Sequence, residues 1–341
     1  MYDTTPINAT SDRGTIPDPE TGLALPQRIE GGDVTVLTGL PMTSTLDWVN
    51  LQFADQIDIP ADAWAGWDDA NQVFLTAGSG QTASVKTVAS YPANLFDTIQ
   101  WHDGSPLSVA DFVMKMILSF RYEDLQTGIK AVKIVSTDPL VIETYLDGYQ
   151  LDAENSVVTW WPQYPTGPGA WHALAAGIQG EADGRLSFFD EPDIEWVSYA
   201  YGPSLGILQD YVVDDISSGY IPYAPTLGAY ITTAEAVSRW ENLLDWYGNH
   251  GNFWVGTGPY YLHAVSDTDK TLILRHNANF VDLSSKWVDY FASGSVSETI
   301  GSDGGVLATT DGKVEMDIPT GALTEDITFT ITDTGGGYEV A

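Results

Sequence analysis

The chain has no cysteine, which excludes a disulfide framework, a thiolate-ligated zinc or iron–sulfur centre, and thiol catalysis. Basic residues are scarce. Lys and Arg number 13 against 47 Asp and Glu, a formal net charge of −34 over 341 residues. A chain this acidic repels phosphate backbones, which excludes nucleic acid as its main partner. No apolar run approaches the ~18 residues that a membrane span requires. Met1-Tyr2-Asp3-Thr4-Thr5-Pro6 has neither a basic nor an apolar leader region, so if the protein is exported its signal is expected to lie outside this sequence. The five histidines (His102, His172, His250, His263 and His276) show no H-E-x-x-H and no i, i+4 pair, so metal-ligand spacing is absent. There is also no Walker A loop and no G-x-G-x-x-G fingerprint, and no metal or cofactor is expected.

Aromatics, by contrast, are abundant: 12 Trp, 17 Tyr and 11 Phe within a hydrophobic content of 43%. That composition supports a packed core rather than an acidic disordered tail. Residues 1–32 are polar and proline-rich and read as a tail or linker. From Asp33 onward the pattern is globular. Val34–Thr38 alternates like a strand, and Val85–Ser90 and Asp97–Trp101 look like further short strands. The Trp- and Asp-rich stretch 58–68 reads as a loop or short helix. Ser108-Val109-Ala110-Asp111 has the capping-box form, and Val109, Phe112, Val113, Met116, Ile117 and Phe120 follow at helical spacing. Val132–Val135 and Leu140–Tyr145 flank Ser136-Thr137-Asp138-Pro139 as a hairpin. A strand over Ile194–Tyr201 is expected to turn into a helix at Gly202-Pro203-Ser204. Thr232 and Glu235 cap another helix running to about Tyr247. A Gly/Ser linker spans residues 292–304. Beyond it, Lys313–Ile318 and Ile327–Ile331 alternate like strands in a piece too short for a whole β-sandwich.

Candidate chemistry is sparse. Gly202-Pro203-Ser204-Leu205-Gly206 fits the G-x-S-x-G pattern between an expected strand and helix, the context of a nucleophile elbow, with Asp245 and His250 downstream. Ser204 fits equally well as an ordinary helix start. The acidic pairs Asp68-Asp69, Asp214-Asp215 and Asp267-x-Asp269 lack the spacing of a calcium loop and suit solvated turns. The aromatics of Pro- and Gly-punctuated segments are more suggestive. Trp160, Trp161, Tyr164, Trp171, Tyr199 and Tyr201 are candidates to line a ligand cleft, where flat rings give large contact at low entropy cost; alternatively they cover the core beneath long loops. Asp138 or Glu143 is a candidate to pair a ligand amine.

Two ordered motifs carry a family resemblance. Trp101-His102-Asp103-Gly104-Ser105-Pro106-Leu107-Ser108-Val109-Ala110-Asp111-Phe112 resembles a segment of the extracellular solute-binding proteins of the peptide/nickel family of ABC importers. Gly256-Thr257-Gly258-Pro259-Tyr260, followed by Leu272 to Phe280, is similar to that family's G-T-G-P-Y stretch, and the hairpin lies between the two. The resemblance covers roughly residues 33–290. It implies an α/β (mixed α+β) fold with periplasmic-binding-protein-like lobe(s) over 33–291 and a short all-β appendage over 305–341. The appendage looks like the start of the β-sandwich module of ankyrins and netrin receptors. The implied role is the non-catalytic, monomeric binding component of an importer, tethered outside the membrane. It would capture a peptide-like or other medium-sized solute and deliver it to an ABC permease. A secreted serine hydrolase using Ser204 and a cell-surface adhesion or spacer protein are the competing expectations.

Overall fold

The computed structural model describes residues 4–122, 128–164, 168–266, 268–287, 296–309, 313–333 and 338–340. Asp267 and residues 292–295 of the expected linker lie outside these. The chain divides into two units, one of Met1–Pro17 with Ala24–Phe280, the other of Asp18–Leu23 with Val281–Ala341.

In the first unit, helix α1 (Thr4–Thr10) precedes two short strands, β1 (Thr15–Pro17) and β2 (Ala24–Pro26), which pair antiparallel. A seven-stranded sheet follows. Its strands are β3 (Gly31–Leu37), β4 (Val49–Ala54), β5 (Trp64–Asp68), β6 (Val73–Thr76), β7 (Val85–Ser90), β8 (Ile129–Thr137) and β9 (Leu140–Leu146). The spatial order is β4-β3-β7-β9-β8-β5-β6. Between β7 and β8 lie α2 (Leu95–Thr98) and α3 (Val109–Arg121). After β9 come α4 (Trp171–Ala182), the two-residue strands β10 (Leu186–Ser187) and β11 (Glu195–Trp196), α5 (Ser204–Ser218), α6 (Ala224–Leu227) and α7 (Thr233–His250). The hairpin β12 (Tyr260–Ser266) and β13 (Thr271–His276) closes the unit.

The expected α/β periplasmic-binding-protein-like class does not hold. The chain is 31% strand against 25% helix. Within the large sheet only β3–β4 is parallel, and every other neighbouring pair is antiparallel. Antiparallel neighbours need only short connections, whereas a doubly wound lobe needs a helical crossover between parallel strands. Two of the pairs here, β5–β6 and β8–β9, are local hairpins.

Alternation builds one core face on the sheet. Val34 and Val36 on β3, Val85 and Ala89 on β7, and Leu140 and Ile142 on β9 are buried together with the helices. Thr87 and Thr144 sit fully buried on the same face, and their hydroxyls accept hydrogen bonds from the Val158 amide (3.4 Å) and Trp160 Nε1 (2.8 Å). On the other face Lys86 pairs with Glu143 (2.5 Å) and Tyr145 donates to Glu143 (2.7 Å). Glu143 is thereby engaged within the protein. The helices pack α3 on α4, α4 on α5 and α7, and α5 on α7.

Several local expectations change. Residues 64–68 form a strand rather than a loop or helix, because Trp64 stacks flat on Phe74 of the partner strand (4.1 Å, 3°) and aromatic cross-strand pairs favour a sheet. Residues 97–101 do not form a strand; Leu95–Thr98 makes a single helical turn. The strand expected over 194–201 is only Glu195–Trp196. Nor is the N-terminal stretch a free tail. Thr10 is fully buried, and its carbonyl accepts the Gly258 amide (3.0 Å) while its hydroxyl accepts Trp254 Nε1 (2.8 Å).

The second unit is all-β. Strand β14 (Val296–Ile300) lies within the segment expected as linker and pairs with β17 (Ile327–Asp333), which also carries β18 (Tyr338–Val340). Strands β15 (Gly305–Ala308) and β16 (Glu315–Ile318) form a separate antiparallel pair. Ile300, Leu307 and Ile331 make its small core.

Candidate functional site

The two family-like motifs meet through His102. Its Nδ1 accepts the Gly256 amide (3.0 Å), leaving Nε2–H to donate to the Gly258 carbonyl (3.1 Å), and its own amide donates to Gly256 O (2.9 Å). Burial pulls its pKa down to about 4, against the Gly258 carbonyl, which favours the charged ring. The folded state therefore holds His102 neutral while the unfolded chain takes up a proton below pH 6.5. Stability is complete above that value and falls as the pH drops toward 4. Between pH 6.5 and 5 this group is expected to cost about 1–2 kcal/mol. Urea unfolding at both pH values tests it: the His102→Gln variant should show a shallower loss than the parent, and equal slopes would refute the assignment.

The Asp-Gly turn of the first motif is likewise architectural. Gly104 takes φ +86°, a left-handed conformation that glycine adopts without strain. Asp103 Oδ1 accepts the Ser105 amide (2.9 Å), and Oδ2 meets His172 Nε2 (2.7 Å), both side chains fully buried. Burial works to raise the Asp103 carboxyl, but the His172 contact and the Ser105 amide hold it below its ordinary value. Asp111, at the start of α3, accepts the Ser108 amide (2.9 Å) and receives both arms of Arg239 from α7 (3.0 Å each). Arg239 Nη2 also donates to Ser108 Oγ (2.9 Å) and the Pro106 carbonyl (2.5 Å).

The six cleft candidates do not converge. Trp171 and Tyr199 are fully buried among the helices, Trp171 edge-on to Trp240 (5.5 Å, 90°). Tyr199 lies against Gly177 of α4, where a Cβ would strike its hydroxyl. Tyr201 is 44% exposed. Trp160, Trp161 and Tyr164 are buried but adjoin one another near a cleft of about 320 Å³, and the two tryptophans line it. Trp160 stacks on Phe120 (16° between planes) and takes φ +54°, a conformation that non-glycine residues hold at a cost.

The rest of that cleft escaped the sequence reading. Ile129 and Val158 add apolar wall, and Arg13, Lys115 and Ser119 add donors. Lys115 and Ser119 are one turn apart on α3, hence on one face. Lys115 Nζ donates to the Gln163 carbonyl (2.9 Å) and lies 4.5 Å from the centre of the Tyr164 ring. Burial lowers its pKa to about 8. A usable signal was present: Lys115 is the one charge between Val113-Met114 and Met116-Ile117-Leu118, a costly interruption of an apolar helix.

A second, larger cleft of about 420 Å³ lies where β5 and β8 part, beside Trp64 and Tyr230. Its one cation, Lys133, is already paired with Asp62 (2.8 Å). Ser204 is fully buried; its hydroxyl donates to the Ser198 carbonyl (2.8 Å) and accepts the Ser198 amide (3.1 Å). Neither Asp245 nor His250 is among its partners. Among the described residues no group of three His, Asp or Glu side chains is placed to hold a metal ion. Comparison with protein-family models and with curated proteins finds no match.

Proposed function

We propose that the chain is a solute-binding protein whose ligand sits in the cleft between Trp160 and Trp161 and the α3 face bearing Lys115. One observation carries the reading. The indole Nε1–H of Trp161, a residue only 5% exposed, has no acceptor among the described residues, a state it shares with the indoles of Trp101 and Trp171. Of the three it is Trp161 that lines this cleft, whose size is in the ordinary range of small-molecule sites. Buried polar groups are nearly always bonded, and a ligand acceptor would complete this one. Delivery of the solute to a membrane permease is the role that the two motifs imply.

The test is a thermal-shift screen of the full chain against amino acids, di- to pentapeptides, organic acids and sugars. A ligand at 100 times its Kd stabilises by about 2.7 kcal/mol, a rise of a few degrees. The shift should disappear in Trp160→Ala. A cooperative melt that no class of compound moves would overturn the proposal.

A further inference from the structure

The cleft described above is unusual in charge. Most of the chain's cations sit against a carboxylate, as Lys86 does on Glu143 and Arg185 on Asp210. Lys115 and Arg13 have no such partner among the described residues; Arg13 Nη2 instead donates to Asn8 Oδ1 (2.5 Å). Both nevertheless line one cleft, and no acidic residue lines it, although the chain carries 47. With carboxylates so abundant, two unpaired cations beside one cavity are a local inversion of the protein's field.

Two further donors stand among the remaining polar groups, which also include Thr15, Thr159 and Gln163. Trp161 offers an N–H without an acceptor among the described residues. Ser119, 3% exposed, makes no side-chain hydrogen bond among the described residues. Beside these donors the two indoles, Ile129 and Val158 supply apolar wall, with Gly14, Thr15, Thr159 and Gln163 completing the lining. Lys115 lies in the middle of α3 and Ser119 in its last turn, neither of them at its N-terminus, so the anchoring charge is a side-chain ammonium and not a helix end.

We infer that the ligand is a small organic carboxylate with a flat or cyclic apolar body, its carboxylate bonded to Lys115 and Arg13 with the Trp161 N–H, and its body against the indoles. This deepens the solute-binding reading and rests on it. At neutral pH an ammonium with a pKa of about 8 is still mainly charged, so the cation is present when the ligand binds.

Three compounds of one shape decide the charge: phenylacetate, 2-phenylethanol and phenethylamine, titrated calorimetrically into the full chain. Phenylacetate is expected to bind at least tenfold tighter than the alcohol, with the amine weakest. Lys115→Met should remove that tenfold preference and leave the alcohol within twofold. Trp161→Phe, which keeps a ring and deletes the N–H, should weaken phenylacetate several-fold. If Lys115→Met fails to fold, Arg13→Gln supplies the same comparison and should also narrow the preference. Equal binding of acid and alcohol, lost in Trp160→Ala, would overturn the carboxylate while leaving a solute site in place. Failure of both phenylacetate and cyclohexanecarboxylate, with a peptide or sugar from the screen binding in a Trp160-dependent way, would overturn it too. If no compound binds at all, the carboxylate and the solute-binding reading fall together.

Discussion

Replacing Arg239 with methionine is expected to cost the first unit about 3–5 kcal/mol. The side chain is 3% exposed and clamps Asp111, which is fully buried, through two 3.0 Å bonds. Removing one member of a buried ion pair leaves the other charge unpaired in a medium that solvates it poorly, which costs far more than the pair itself contributes. Methionine fills much of the volume, so packing against Trp171, whose ring lies 5.6 Å from the guanidinium carbon, is largely kept. The loss therefore reports the charge. Urea unfolding followed by tryptophan fluorescence gives the number. Arg239→Met combined with Asp111→Leu should recover much of it, since an apolar pair replaces the stranded carboxylate. A single-variant loss below about 1 kcal/mol would mean that solvent reaches Asp111.

Gly258→Ala is expected to destabilise by at least about 3 kcal/mol and to free the N-terminal segment. A Cβ at this position would lie 2.5 Å from the carbonyl carbon of Thr10 and 2.6 Å from the Ser11 amide nitrogen. Backbone cannot yield as a flexible side chain can, so the approach that carries the Gly258–Thr10 hydrogen bond must open, an extreme of overpacking. Gly256 faces the same segment, against the Thr10 carbonyl oxygen. Arg13 and Thr15 wall the Trp160 cleft, so the variant should lose ligand as well as stability. Limited proteolysis supplies the specific readout: cleavage within residues 5–17 should appear in Gly258→Ala before the rest of the unit is cut. Protection equal to the parent's would show that the segment does not depend on this contact.

What was legible in the sequence was short-range. The capping boxes at Ser108 and Thr232 start α3 and α7, with Glu235 and Thr232 exchanging amide bonds (2.8 and 3.3 Å). The hairpin around Ser136–Pro139 is β8–β9, and Val85–Ser90 is a strand with those bounds. These depend on residues within a turn or two of one another. Sheet order does not. Whether β3 lies beside β7 rather than in a parallel stack is decided by pairings tens of residues apart, to which alternation is blind, and so the class was misjudged. The N-terminal segment looked like a linker because its residues are polar. Its burial comes from backbone and hydroxyl groups meeting partners some 240 residues away.

The site shows the same division. Aromatic clustering marked Trp160 and Trp161, but the same logic swept in Trp171 and Tyr199, whose rings fill the helical core. Loop aromatics and core aromatics have one composition, and only the third dimension separates them. Lys115 was concealed by the apolar helix around it, and Arg13 by the apparent tail.

The pinning of Thr10 between Trp254 and Gly258 also bears on synthesis. Helix α1 leaves the ribosome some 240 residues before its receptor is made. At typical translation speeds that interval is on the order of tens of seconds. Until it ends, the clamp at His102 and the strap bearing Arg13 lack their partners. The first unit therefore completes its fold after most of it has been translated, and a nascent chain halted before Gly258 should remain open at both places.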